Sequence, residues 1–188
     1  MNQQITFPSL FPQLETERLS LKMVQMEDAK DLFDLRSSPE FMKYLGRDMM
    51  QDVSEAEEYI DRIKRGFQNK TGLSWKICYK NSNNFIGYCG FWEINYQHFK
   101  TEIGYGLNPL FQAKGFMTEA LSSMTNYMFS EMNIHHIKAD IDPLNISSRR
   151  VLEKVGFYRI GLAKENYFYN GRFMDSEYYG MIKNEIIL

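Results

Sequence analysis

The chain has 188 residues, 44% of them hydrophobic, 15% aromatic and 24% charged, with a formal net charge of -2 at pH 7. That length suits one compact domain with a sizeable core, and the composition is ordinary for a soluble globular protein. The near-neutral balance gives no electrostatic reason to expect nucleic acid or an anionic membrane as partner, and no apolar run approaches the roughly 18 residues of a membrane span.

The opening segment, Met1 to Pro12, is polar and proline-broken, without the basic and apolar regions of a secretion signal. After the charged turn Glu15 to Arg18, Leu19 to Val24 reads as a strand. Asp28 can cap a helix carrying Ala29, Leu32, Phe33 and Leu35, which stops before Pro39. A second helix follows Asp52, with Val53, Ala56, Ile60, Ile63 and Phe67 stepping by three and four before Gly72. Leu73 to Tyr79 and Phe85 to Ile94 read as a hairpin joined by Lys80 to Asn84. Its strands hold Cys78 and Cys89, the two cysteines of the chain, which read as reduced core residues and make a cytoplasmic location the expectation. Thr101 to Leu107 is a third strand-like run. A helix after Gly115 carries Met117, Ala120, Leu121, Met124, Tyr127, Met128 and Met132 at helical spacing. Ile134 to Ile141 reads as a strand opened by His135 and His136, Asn145 to Val155 as a short helix closed by Gly156, and the tail as two further strands. The pattern predicts a mixed α/β domain, residues 1–188, with helices covering a curved sheet.

Between Leu107 and Ala120 a strand ends, a loop turns and a well-patterned helix begins. A helix N-terminus offers unpaired N–H groups and the positive end of a dipole, both of which favour phosphate. Gly115 allows close approach of the backbone and Lys114 adds a charge. The loop lacks the glycine–lysine–serine/threonine ending of a P-loop, and Gly104-x-Gly106 meets Pro109 where a dinucleotide fingerprint wants glycine. By itself the segment fits a phosphate cradle and a plain strand–loop–helix connection equally well.

Gln112-Ala113-Lys114-Gly115-Phe116-Met117 resembles the Q/R-x-x-G-x-G/A pyrophosphate loop of the GNAT superfamily of N-acetyltransferases, and its flanks Phe111 and Thr118-Glu119-Ala120 are similar to the RimJ/RimL branch. Met117 departs from the pattern, and its side chain must point away from any phosphate. Asn145 to Phe157 resembles the branch's "N-x-x-S…GF" segment, and Thr101 to Leu107 its splayed fourth strand; the likeness spans roughly residues 17–182. It implies a mixed, mostly antiparallel sheet flanked by helices, with splayed central strands forming an acetyl-CoA cleft. Leu107, Gln112, Ala113, Lys114, Gly115, Phe116, Met117, Thr118 and Asn145 are then the expected cofactor contacts, with acetyl-CoA as co-substrate and no metal. The implied reaction is acetyl transfer to a primary amine by direct attack in a ternary complex. The acceptor is a protein N-terminal α-amine of the ribosomal-protein type, or else a small amine, polyamine or antibiotic. A non-catalytic CoA-binding regulator is the rival class, and the chain is a monomer or homodimer.

Strand alternation puts Glu102, Gly104 and Gly106 on one face and Ile103, Tyr105 and Leu107 on the other, so a carboxylate stands beside two positions that leave room for substrate. The resemblance gives Glu102 the amine proton, directly or through water; satisfied by its neighbours, it would be structural. Ser148, three residues after Asn145, is the implied donor to the leaving thiolate, and a capping or surface role fits it as well. A main-chain N–H near Leu107 or Asn108 is expected to meet the carbonyl oxygen, because a splayed strand leaves donors unpaired. Glu93, beside Trp92, is a further candidate facing the acceptor, and a surface strand position fits it equally well. Asp52, Glu55, Glu57 and Glu58 form either an acidic wall for a cationic acceptor or a solvated helix face.

Overall fold

The structure, a computed structural model, describes residues 4–80, 82 and 84–183; Asn81 and Asn83 of the expected hairpin turn lie outside the described residues. In chain order come β1 (Leu14–Glu15), β2 (Leu19–Met23), α1 (Ala29–Arg36), α2 (Pro39–Met42) and α3 (Val53–Gln68). Then follow β3 (Leu73–Tyr79), β4 (Asn84–Asn95), β5 (Lys100–Leu107), α4 (Phe116–Ser130), β6 (His136–Ile141), α5 (Ile146–Val155), β7 (Tyr158–Tyr169) and β8 (Arg172–Ile182). The strands form one mixed sheet in the order β1-β2-β3-β4-β5-β6-β8-β7, in which β5 and β6 pair parallel and the other neighbours antiparallel.

Each face carries its own core. Trp75, Phe91, Ile103, Ile137 and Tyr179 pack under α4 and α5, where Leu121, Met124 and Met128 are fully buried. The methionine stripe is therefore core, each such side chain contributing about 1.5–3 kcal/mol by burial. On the other face Leu32 of α1 and Ile60 of α3 close over Tyr88. Cys78 and Cys89 are buried free thiols.

Local details differ from the sequence pattern for identifiable reasons. Asp28 makes no side-chain cap for α1; its carboxylate accepts from the Gln25 N–H at 2.7 Å and from Lys76 Nζ at 2.7 and 2.8 Å, tying the helix start to β3. The helix ends at Arg36, and Pro39 opens the one-turn α2 with Ser38 as its cap. The strand expected from Ile134 starts at His136, because the N–H groups of Ile134 and His135 bond to Met128 and Phe99 carbonyls instead. No described helix is long and apolar enough to cross a membrane.

One irregularity creates the site. Pairing of β5 with β6 runs from Lys100↔His136 to Ile103↔Ala139 and stops, although β5 continues to Leu107 and β6 to Ile141. The two strands diverge there and open a cleft between the two halves of the sheet.

Candidate active site

One side of the cleft is built on the end of β5. Asn108 donates its N–H to the Ile86 carbonyl at 2.8 Å, which removes it as a donor to a carbonyl oxygen. Alternation turns the Leu107 N–H the opposite way, toward the gap left by β6. Gln112 Nε2 donates to the Leu107 carbonyl at 3.2 Å and fastens the loop to the strand. Ala113 and Gly115 adopt left-handed φ of 59° and 80°, so the loop's N–H groups turn inward before α4 begins at Phe116 without a side-chain cap.

Gln112, Ala113, Gly115, Phe116, Met117 and Thr118 line a cavity of about 550 Å³. Met117 is 6% exposed and packs into the core, as its bulk requires. Lys114 is not part of this lining: its Nζ donates to the Leu110 carbonyl at 3.0 Å and lies 5.5 Å from the centre of the Phe111 ring. The positive charge in the lining comes instead from Lys43, just past α2, and from Arg150 and Lys154 of α5, with Glu40 the carboxylate among the lining residues. The i,i+4 spacing of Arg150 and Lys154 was the available signal in the sequence. Uncapped helix N–H groups, two left-handed residues and three cationic side chains fit the phosphates of CoA.

A second residue missed by sequence reasoning holds this loop in place. Arg18 of the β1–β2 turn donates through Nη1 to the Lys114 carbonyl at 3.0 Å, and its Nε and Nη2 each reach Glu119 Oε2 at 2.7 Å. Burial would raise the Glu119 carboxyl, but Thr16 and Arg18 outweigh it and hold the group below its ordinary range. The charged turn and the first turn of α4 are thereby locked together.

On the far wall Asn145 caps α5, its Oδ1 accepting from the Ser148 N–H at 3.0 Å. Ser148 is buried while Ser147 is exposed, so the three-residue step selects the inward hydroxyl. Ser148 Oγ and Tyr105 Oη are 2.7 Å apart, and the phenol also lies 3.2 Å from the Ser148 carbonyl. Burial pushes the Tyr105 phenol up, the Ser148 bond opposing it, so it stays a neutral hydroxyl. Sequence reasoning assigned Tyr105 only to a strand face; its partner lies 43 residues away, beyond any local pattern.

Glu102 lines a second cavity of about 620 Å³ on the α1–α3 side of the sheet. The room expected beside it is taken by aromatic rings, Trp92 against Gly104 and Phe41 against Gly106. Its Oε2 accepts from Lys138 Nζ at 3.3 Å, both side chains partly exposed. Asp140 stands one alternation step past Lys138, beyond the last β5–β6 pair. Desolvation pushes its carboxyl above the usual range, with the Ser176 hydroxyl and Lys138 pulling back. Glu93 lines the same cavity, at a left-handed φ of 52° where β4 slips register. Asp52, Glu55, Glu57 and Glu58 are exposed and outside it; α3 turns Tyr59, Arg62, Ile63 and Gly66 toward it. Tyr44, Leu45, Tyr105, Asn145 and Ser148 line both cavities, so the two meet there. Among the described residues no group of three His, Cys, Asp or Glu could hold a metal.

The family model for the acetyltransferase (GNAT) domain matches residues 18–158. The uncharacterized N-acetyltransferase YoaA of Bacillus subtilis (strain 168) is 32% identical over 174 residues, covering 93% of this chain and 98% of its own. Among solved structures, a ribosomal-protein-S5-alanine acetyltransferase from Vibrio fischeri superposes with a TM-score of 0.83 at 21% identity, covering 93% of this chain and 98% of its own. A spermidine N-acetyltransferase from Vibrio cholerae, solved with CoA and spermine, gives 0.78 at 23% identity, covering 88% and 96%. The splayed strands and uncapped loop thus occur in a family whose chemistry they suit: the chain belongs to the GNAT acetyltransferases and is an N-acetyltransferase that uses acetyl-CoA.

Proposed function

We propose that the second cavity receives the acceptor amine and that the acetyl group passes to it by direct attack in a ternary complex. The observation that carries this reading is the junction of the two cavities at Tyr105, Asn145 and Ser148. Acetyl-CoA supplies the thioester, and the chain's own groups do the rest. Glu102 accepts the amine proton, directly or through water, as the new N–C bond forms. The Leu107 N–H, turned into the gap, meets the carbonyl oxygen as charge builds on it. Ser148 Oγ donates a proton to the sulfur as the C–S bond breaks and recovers one from solvent, to which Glu102 releases the amine proton; Tyr105, which acts through Ser148, is a positioning residue.

For the acceptor, the likeness to the ribosomal-protein enzyme supports a protein N-terminal α-amine. A small free amine is the second reading, favoured by the buried Arg36 in the cavity wall.

The test is release of free CoA thiol from acetyl-CoA with peptides, small amines and polyamines as acceptors. Ser148→Ala should lower kcat by roughly ten- to a thousandfold and Tyr105→Phe by about tenfold, each with an unchanged acetyl-CoA Kd. Binding of acetyl-CoA without thiol release for any amine would instead make the chain a non-catalytic CoA binder.

A further inference from the structure

Arg36 closes α1 and is 6% exposed, yet its side chain lines the acceptor cavity. A guanidinium does not lose its proton in a protein, so this is a buried positive charge. Among the described residues no carboxylate forms an ion pair with it. Its Nη1 donates to Tyr88 Oη at 2.5 Å, and its Nε is buried with no hydrogen-bond partner. Two rings flank it, Tyr59 at 4.8 Å and Tyr88 at 5.9 Å from Cζ. Ring faces offset part of the cost of burying a cation and leave the charge itself unbalanced. The Tyr88 phenol supplies no anion, since burial keeps it protonated.

The surroundings of Arg36 repeat its sign. Arg62 of α3 also lies against the Tyr59 ring, at 5.4 Å, and Arg47, between α2 and α3, lines the same wall. Both are exposed and form no ion pair among the described residues. The cavity's carboxylates sit elsewhere, Glu93 on β4, Glu102 on β5, Asp140 on β6 and Asp142 just past its end. Its charge is therefore divided, cationic on the helical wall and anionic on the strands beside Tyr105. Planar guanidinium forks match the paired oxygens of a carboxylate or phosphate.

We propose that the acceptor is a small primary amine that also bears an oxyanion, a carboxylate or phosphate, seated on Arg36 with Arg47 and Arg62 while its amine faces Glu102 and Ser148. This rests on the reading of the second cavity as the acceptor site.

The test compares matched amines in the thiol-release assay: amino acids against their carboxamides, aminoalkyl phosphates against the corresponding amino alcohols, and spermidine. The anionic member of at least one pair should show kcat/KM higher by about tenfold or more, and which pair does so separates carboxylate from phosphate. Arg36→Met should bring that ratio toward one. Since Arg36 is buried and its loss could unfold the chain, Arg62→Ala, at an exposed position, serves as a second variant and should reduce the ratio in part. Thiol release without preference for the anionic member, or with spermidine preferred, overturns this inference and leaves the transferase reading standing. Release with peptides alone overturns this inference only; no release with these amines or with peptides, while acetyl-CoA still raises the melting temperature, overturns both.

Discussion

Glu102 and Lys138 face each other across the parallel pair, and Asp140 follows on the same strand face. Carboxylates near pKa 4 are poor bases for an ammonium near 8 to 10 unless desolvation raises them or water relays the proton. Asp140 carries that desolvation, whereas Glu102 has one oxygen engaged by Lys138. Glu102→Gln should lower kcat/KM for the amine at least about tenfold near neutral pH, leave acetyl-CoA affinity unchanged, and lose less at high pH where free amine is abundant. An equal loss at every pH would make Glu102 a substrate-positioning group. No loss in Glu102→Gln, with a pH-dependent loss in Asp140→Asn, would transfer the base to β6. Glu102 was visible in the sequence because alternation around Gly104 and Gly106 singles it out. Asp140 was not, since its relation to Glu102 exists only once strands 36 residues apart pair in parallel.

The loop between β5 and α4 owes its shape to two left-handed residues, and Gly115 at φ 80° is the one that begins the helix. A side chain there costs about 1–2 kcal/mol in backbone strain, and a carboxylate would also repel phosphate from the cradle. A ligand bound only by the native state stabilises it by about 2.7 kcal/mol at a hundredfold excess over Kd. Acetyl-CoA should therefore raise the Tm of the native chain measurably, and Gly115→Asp should remove that rise while still giving a cooperative melt. A variant that melts cooperatively and keeps the full rise would detach the loop from acetyl-CoA binding. The element was legible from a strand ending, a glycine and a helical repeat in one short stretch. Lys114 shows the limit of such reading: its charge was visible, but its direction depends on where the Leu110 carbonyl and the Phe111 ring lie.

Across the molecule, Glu177 ties the helix carrying Ser148 to the far strands. It is 3% exposed, with Arg149 of α5 donating to Oε2 at 2.8 Å and Arg159 of β7 to Oε1 at 2.6 Å. Burial works to raise its carboxyl, but the two arginines win and hold it below the usual carboxylate range. With the folded pKa depressed, its stabilisation is present above the unfolded value and is lost as pH falls through the folded one. Glu177→Gln should melt several degrees below the native chain at pH 7, and the gap should narrow as pH drops below about 4.5. A gap equally wide at pH 4 and pH 7 would show that the carboxylate's charge is not what stabilises. By itself the sequence determined four of the five helices, missing the one-turn α2, together with most strand limits, the strand–loop–helix turn at Gly115 and the Asn145–Ser148 step, because periodicity, caps and glycines act within a few residues. Only the tertiary structure decided where β5 and β6 part, that Tyr105 meets Ser148, that Trp92 and Phe41 fill the space over the glycines, and that Arg36 is buried without a counter-ion among the described residues. Each of these depends on which distant side chains packing brings together, and no pattern within one segment carries that information.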